Sequence, residues 1–283
     1  MEVKRFGPDG PLLPIIGQGT WDIPEHGARL DEARHALRRG IELGMTHIDT
    51  AEMYGSGRAE EIVGEVISGC QRDTLFLTTK VLPSNASFKG TIAACERSLR
   101  RLKTEYLDLF LLHWRSSYPI EETMAGLEQL VTDGKVRALG VSNFDVEDLR
   151  EAQSALRTHR IACNQVLYHL SERGIEAHLL PFCKTQGIPI VGYTPFGRSR
   201  HPGEHMRPGA PIFAIAQKYG KSPHQVILRF LTRDSNVFTI PKASRVSHVE
   251  ENAGGCGWEL EQTDVMAIDA LFPVRANGPL ATL

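Results

Sequence analysis

Thr46-His47-Ile48-Asp49-Thr50-Ala51, followed by Glu52-Met53-Tyr54-Gly55-Ser56-Gly57, reads as a short apolar strand that ends on a carboxylate and hands over to a glycine-bearing loop. The unit recurs downstream. Leu75-Phe76-Leu77-Thr78-Thr79-Lys80 ends on an amine, and Leu107-Asp108-Leu109-Phe110-Leu111-Leu112-His113-Trp114 reaches an imidazole. In all, eight apolar runs end on residues of chemical use, at Gly19 to Trp21, Asp49, Lys80, His113, Asn143, Gln165, Tyr193 and Lys242. Between most of them lie stretches with helical spacing: Leu30 to Leu43, Ile92 to Leu102, Ile120 to Val131 and Val146 to Leu156. Strand and helix signals that alternate in this way predict an α/β chain with parallel strands. Eight such repeats close into a (β/α)8 TIM barrel whose strands all point their C-terminal ends at one rim, so the eight endings are expected to converge on one site.

Composition agrees with that architecture. The 283 residues, 41% hydrophobic, suffice for one filled barrel, and no low-complexity linker divides the chain, so one domain over 1–283 is expected. The stretch Arg198 to Pro211 is read as an insertion on one barrel loop. No apolar run approaches the roughly 18 residues of a membrane span. The termini show no signal core or lipidation cysteine, so a cytoplasmic protein without a membrane partner is expected. A net charge of -2 argues against a basic nucleic-acid binder, and the local basic run Arg97 to Lys103 reads as a solvated helix end. Five scattered cysteines, Cys70, Cys95, Cys163, Cys183 and Cys256, form no CxxC pair and predict neither a disulfide framework nor a zinc ribbon; Cys163 reads as packing. His201 and His205 stand in a Pro/Gly-broken loop, so no metal site is expected.

An acid, a phenol, an amine and an imidazole would thus meet at one rim. A tyrosine has an ordinary pKa of about 10, and an ammonium within about 4 to 6 Å favours the phenolate and lowers it. Asp49 would hold the Lys80 ammonium in place beside Tyr54, and His113 could donate to a carbonyl oxygen and orient it. Together these form a general acid that protonates an oxygen while something else attacks the carbon.

Gly17-Gln18-Gly19-Thr20-Trp21, His47-Ile48-Asp49-Thr50-Ala51, Met53-Tyr54-Gly55, Thr79-Lys80, Leu112-His113-Trp114, Gly140-Val141-Ser142-Asn143-Phe144, Asn164-Gln165-Val166, Gly192-Tyr193-Thr194-Pro195 and Ile240-Pro241-Lys242 resemble, in that order, the aldo-keto reductase superfamily. The resemblance implies a barrel entered through an N-terminal β-hairpin, a catalytic tetrad of Asp49, Tyr54, Lys80 and His113, and a nicotinamide dinucleotide bound without a Rossmann fold. It also implies a monomer. Consistently, Gly17-Gln18-Gly19 lacks the third glycine and following helix of a dinucleotide fingerprint, and no GxxxxGK[ST] is present.

Amide and hydroxyl side chains at Ser142, Asn143 and Gln165 can pair with a carboxamide. The resemblance assigns them to the nicotinamide amide, with Tyr193 stacked on the ring and Thr194 and Phe196 among the cofactor contacts. Lys242, Arg245 and His248 cluster around the start of the last long helix, with Ser244 or Ser247 as its cap, a setting that attracts a phosphate. The resemblance makes this the adenosine 2'-phosphate site and places Glu251 and Asn252 near the adenine, which favours NADPH, with NADH as the alternative. Ala243 stands where many members have a serine, and His248 where they often have arginine. Histidine lacks the guanidinium fork, which weakens the NADPH preference or shifts it to Arg245.

Hydride transfer to a carbonyl carbon with Tyr54 protonating the oxygen is the expected reaction, and the expected partner is a small carbonyl substrate. Trp21 and Trp114, with His113, would wall its pocket. The short tail, Pro273 to Leu283, predicts a site more open than in reductases with a long closing tail. Leu107 to Trp114, Asn164 to Leu170 and Arg173 to Leu180 resemble bacterial reductases of methylglyoxal and related small aldehydes; the expected substrates are methylglyoxal and other small or aromatic aldehydes, with sugars or diketo-sugar acids as the alternative. The rival within the same superfamily is an NADPH-binding, channel-associated regulatory subunit with slow turnover.

Overall fold

The computed structural model describes residues 1–197, 209–275 and 278–283; the notional insertion's residues 198–208, with His201 and His205, lie outside the described residues. The chain opens with an antiparallel hairpin, β1 (Val3–Arg5) and β2 (Leu12–Pro14), and then enters eight parallel strands. These are β3 (Gln18–Gly19), β4 (His47–Asp49), β5 (Phe76–Val81), β6 (Leu107–Leu112), β7 (Val136–Ser142), β8 (Asn164–Leu167), β9 (Ile190–Tyr193) and β10 (Val237–Thr239), paired in chain order from β3 to β10. Parallel bridges Ile16 to Thr239 and Gly19 to Lys242 join the two ends of the sheet and close the barrel.

Around it lie α1 (Gly27–Glu42), α2 (Arg58–Ile67), α3 (Phe88–Leu102), α4 (Ile120–Thr132), α5 (Val146–Ala155), α6 (Leu179–Gln186), α7 (Pro211–Tyr219), α8 (Pro223–Leu231), α9 (Val246–Ala253) and α10 (Gln262–Leu271). Helix α9, with 8 residues, is followed by the longer α10, with 10, so it is not the last long helix that the sequence predicts. Local chemistry sets several starts. Asp145 and Asp148 form a reciprocal capping box at α5, and Ser222 and Gln225 do the same at α8, where Pro223 fits a first-turn position that needs no N–H.

Strands β5 and β6 are buried along their whole length, so neither shows the regular polar and apolar alternation of a half-exposed strand. Asp108 interrupts β6 yet is satisfied at the barrel floor. It accepts from Arg72 at 2.7 Å, Arg137 at 3.0 Å and the Leu77 N–H at 2.9 Å. The basic run at the end of α3 is likewise not simply solvated: Arg101 pairs with the fully buried Glu60 at 2.6 Å, and Arg97 reaches Glu52 at 3.3 Å.

The Gly17-Gln18-Gly19 run owes its glycines to the barrel seam. A Cβ on Gly19 would stand 2.6 Å from the Ile240 carbonyl oxygen, and one on Gly17 2.6 Å from that of His47. Gln18 donates to the carbonyls of Leu37 and Met45, and Gly40 on α1 makes room for its amide. Cys163 is fully buried and packs with Leu111, Val191 and Phe238 at the barrel axis, as expected of a packing residue.

Candidate active site

Strand β4 ends on Asp49, and the chain turns immediately. Gly55, Ser56 and Gly57 all take positive φ (55°, 53° and 94°), a run that non-glycine residues resist, and this tight loop swings Tyr54 back over the strand ends. Lys80, fully buried inside the barrel, has all three ammonium donors directed: to Asp49 Oδ1 at 2.7 Å, the Thr50 carbonyl at 2.8 Å and Tyr54 Oη at 3.3 Å. The His113 ring meets Tyr54 edge-on at 5.8 Å and stacks on Trp114 at 3.9 Å. The four predicted catalytic residues are thus in mutual reach, three of them in one hydrogen-bonded chain.

Burial pushes the Asp49 carboxyl above its ordinary value against the pull of Lys80 and Gln165. Burial also favours the neutral amine of Lys80, but the Asp49 charge overrides it and holds that pKa up. With 2.7 Å between them and every donor satisfied, the two form a charged pair. The Tyr54 expectation needs correcting: burial pushes the phenol above its ordinary value, Lys80 pulls it down, Asp49 pushes it back up, and the net direction is upward. The phenol therefore keeps its proton at neutral pH, the form a proton donor must have. Burial, with the Lys80 charge second, pushes His113 down to about 2 and His47 to about 3, so both imidazoles are neutral.

This burial has a consequence for stability. Unfolded histidine titrates near 6.5, so between about pH 3 and 6.5 the unfolded chain binds protons that the folded one refuses. Stability is then full above about 6.5 and falls as the pH drops. At about 1.4 kcal/mol per pH unit for each histidine below the unfolded value, a loss of about 4 kcal/mol is expected between pH 7 and pH 5. Urea denaturation at the two pH values measures it, and equal midpoints would contradict neutral burial of the pair.

A cavity of about 580 Å³ opens at this rim. Asp49, Tyr54, His113, Asn143, Gln165, Tyr193, Thr194, Phe196 and Lys242 line it, as do Trp21 and Trp114. Leu283 does too, so the short tail contributes to the wall. A larger cavity, about 1000 Å³, lies at the opposite end near Phe6, Phe76 and Arg137 and contains none of these groups. Among the described residues no cluster of His, Cys, Asp and Glu could hold a metal ion.

Three non-glycine residues at the rim are held in the left-handed region: Asp22 (φ 55°), Asn143 (φ 62°) and Thr194 (φ 55°). Thr194 is β-branched and precedes Pro195, both of which oppose that conformation, so its turn is imposed by the surroundings. The Asn143 amide donates to the His113 carbonyl at 3.1 Å, and its oxygen accepts from Tyr193 Oη at 2.8 Å. Ser142 is fully buried, donates to the Gln165 carbonyl at 2.8 Å and does not line the cavity.

The remaining predicted cofactor residues, Ala243, Ser244, Arg245, His248, Glu251 and Asn252, sit before or on α9 rather than on the cavity wall. Neither Ser244 nor Ser247 caps this helix; Arg245 takes the cap position without a side-chain bond. The buried Ser244 hydroxyl has no partner, and neither does His113 Nδ1, so hydrogen-bonding capacity is left for a ligand near Lys242 and near Tyr54. Arg245 is exposed and only loosely paired with Glu32, at 3.9 Å. This donor set, two cations and an unsatisfied hydroxyl next to an aromatic and amide-lined cavity, fits a phosphorylated dinucleotide.

Sequence reading missed Glu52, whose carboxylate fixes the end of β5 through the Leu82 N–H at 2.8 Å and Asn85 at 2.9 Å. Its place three residues past Asp49 was the available signal. It also missed His224, which meets Phe196 edge-on at 4.7 Å and bonds Glu251 at 3.1 Å; no local pattern marks that residue.

Residues 15–272 match the profile of the Aldo/keto reductase family. The chain is 44% identical over 261 residues to the methylglyoxal reductase YeaE of Escherichia coli (strain K12), covering 92% of each, and 37% identical over 273 residues to the glyoxal reductase of Bacillus subtilis (strain 168), covering 96% of this chain and 93% of that one. A crystal structure of an aldo/keto reductase from Klebsiella pneumoniae in complex with NADP and acetate superposes with a TM-score of 0.93 at 39% identity, over 100% of both chains. Among the described residues no helix is long and apolar enough to cross a membrane.

Proposed function

Because the chain belongs to the aldo/keto reductase family, we propose that it is an NADP-dependent oxidoreductase that reduces methylglyoxal and other small aldehydes to alcohols, with Tyr54 as the general acid. The observation that carries the reading is the buried chain from Asp49 through Lys80 to Tyr54, 2.7 Å and 3.3 Å long in its two links. Bound NADPH supplies the hydride that the carbonyl carbon accepts. Tyr54 Oη gives its proton to the carbonyl oxygen, and Lys80, held by Asp49, stabilises the negative charge left on the phenol. Neutral His113 donates a hydrogen bond that orients that oxygen, and Trp21 and Trp114 exclude water and wall the apolar end of the substrate.

Asn143, Gln165 and Tyr193 would hold the nicotinamide end, with Thr194 and Phe196 along the cavity. Lys242, Ser244 and Arg245 would hold the phosphorylated adenosine end, and Ala243, His248, Glu251 and Asn252 complete that surface. Arg245 is the fork-bearing cation there, so NADPH preference falls mainly to it.

The test follows absorbance loss from NADPH, and separately NADH, on mixing the protein with methylglyoxal and aromatic or sugar aldehydes. Rapid, NADPH-preferring consumption of methylglyoxal is expected. Cofactor binding without consumption across the panel would instead favour the regulatory reading.

A further inference from the structure

We infer that Gln165 is a positioning residue of the proton-transfer chain: its amide donates to the Asp49 oxygen that Lys80 does not use, tying the cofactor side of the cavity to Tyr54 through Asp49 and Lys80. The inference rests on the reductase reading and deepens it.

Asp49 offers two oxygens. Oδ1 accepts from Lys80 Nζ at 2.7 Å and Oδ2 accepts from Gln165 Nε2 at 2.7 Å. Asp49 and Gln165 are 1% and 2% exposed, so water cannot readily replace either bond. In the closed eight-strand order, β8 and β4 stand four places apart, so this bond crosses the full width of the barrel and joins residues 116 apart in the chain. Gln165 is itself fixed, because its carbonyl accepts from Ser142 Oγ at 2.8 Å and from the Asn143 N–H at 2.9 Å. It also lines the cavity. A hydrogen bond to an ionised carboxylate favours the ionised form, and removing its donor leaves a buried, unsatisfied oxygen that favours protonation instead. A protonated Asp49 would no longer hold the ammonium that steadies the Tyr54 oxygen.

The titratable groups packed around Asp49 are Lys80 on β5, Tyr54 on the loop after β4, His113 beyond β6, His47 on its own strand and Cys163 before β8. Burial keeps His113 and His47 neutral and pushes the Cys163 thiol up, so from pH 5 to 9 the charges in this group are those of Asp49 and Lys80. A change in the pH profile on altering Gln165 is therefore read through that pair.

The experiment compares wild type, Gln165→Met and Gln165→Glu in kcat for methylglyoxal at saturating NADPH from pH 5 to 9, with NADPH affinity measured separately by fluorescence. In Gln165→Glu a second carboxyl faces Asp49 and the two share one proton. Its kcat should fall by about tenfold or more relative to wild type on the alkaline side and recover on the acid side, where the shared proton restores the donor. Gln165→Met, with no donor, should stay low throughout. A residue serving only cofactor binding or packing would weaken NADPH affinity or raise KM and leave the shape of the kcat profile unchanged in both variants, which would overturn the inference.

If the wild type shows no turnover, the reductase reading fails, and the coupling is still readable without catalysis. The infrared carboxyl band assigned to Asp49, by its loss in Asp49→Asn, should then titrate about one pH unit higher in Gln165→Met than in wild type. An unshifted band would overturn the coupling.

Discussion

Tyr54→Phe is expected to lose carbonyl reduction by about 10³-fold while still binding NADPH, because the substitution removes one hydroxyl and with it the proton that the carbonyl oxygen must receive. The ring remains, so the edge-on contact with His113 and the cation over the ring face, with Lys80 Nζ 5.0 Å from the centroid, are kept. Lys80 loses a partner at 3.3 Å but retains Asp49 and the Thr50 carbonyl, so the fold should be little affected. Steady-state consumption of NADPH with methylglyoxal, set beside a fluorescence titration with NADPH, separates chemistry from binding. Turnover within tenfold of wild type would remove Tyr54 from the general-acid role.

Asp49→Asn should be both inactive and unstable. It leaves the Lys80 ammonium in the barrel interior without a countercharge, and breaking a buried pair from one side typically costs about 3–5 kcal/mol. Gln165 also loses a charged acceptor. Part of the loss is avoided if the amine gives up its proton, but an uncharged Lys80 cannot stabilise the anion left on Tyr54. The double variant Asp49→Asn, Lys80→Met removes both charges, so its stability should recover by at least about 2 kcal/mol over the single variant while its activity does not. Urea midpoints of the three proteins decide it. A single variant as stable as wild type would mean that the pair is not the charged, desolvated one described.

Much of this was legible from residue order. The strand endings at Asp49, Lys80, His113 and Tyr193 fall within one residue of the observed strand termini, and α3, α4 and α5 end within a residue of their predicted positions. Runs such as Leu109 to Leu112 carry their strand signal locally, in continuous apolarity that ends at a polar or aromatic residue. The ends of β3 and β10 were less legible. Gly19 terminates a strand of two residues, and β10 stops at Thr239, three residues before Lys242, because the chain there serves to close the seam rather than to extend a ladder.

The chemistry at the rim divides along the same line. Residue order determined which groups could meet, since strand ends in a parallel barrel must share a rim, and it named the acid, amine, phenol and imidazole. Their charge states were decided by the folded neighbourhood, because a pKa depends on how much water is excluded and on which charges approach from any distance in sequence. Burial, which no local pattern encodes, keeps the proton on Tyr54 and the charge off His113. Close approach decided the rest. Gly19 needs its missing Cβ because of Ile240, Asp49 has its second partner in Gln165 across the barrel, and Arg101 is drawn from a supposedly solvated helix end to the buried Glu60. Each of these contacts joins residues tens to hundreds of positions apart, beyond the reach of a periodicity that spans one helix or one strand.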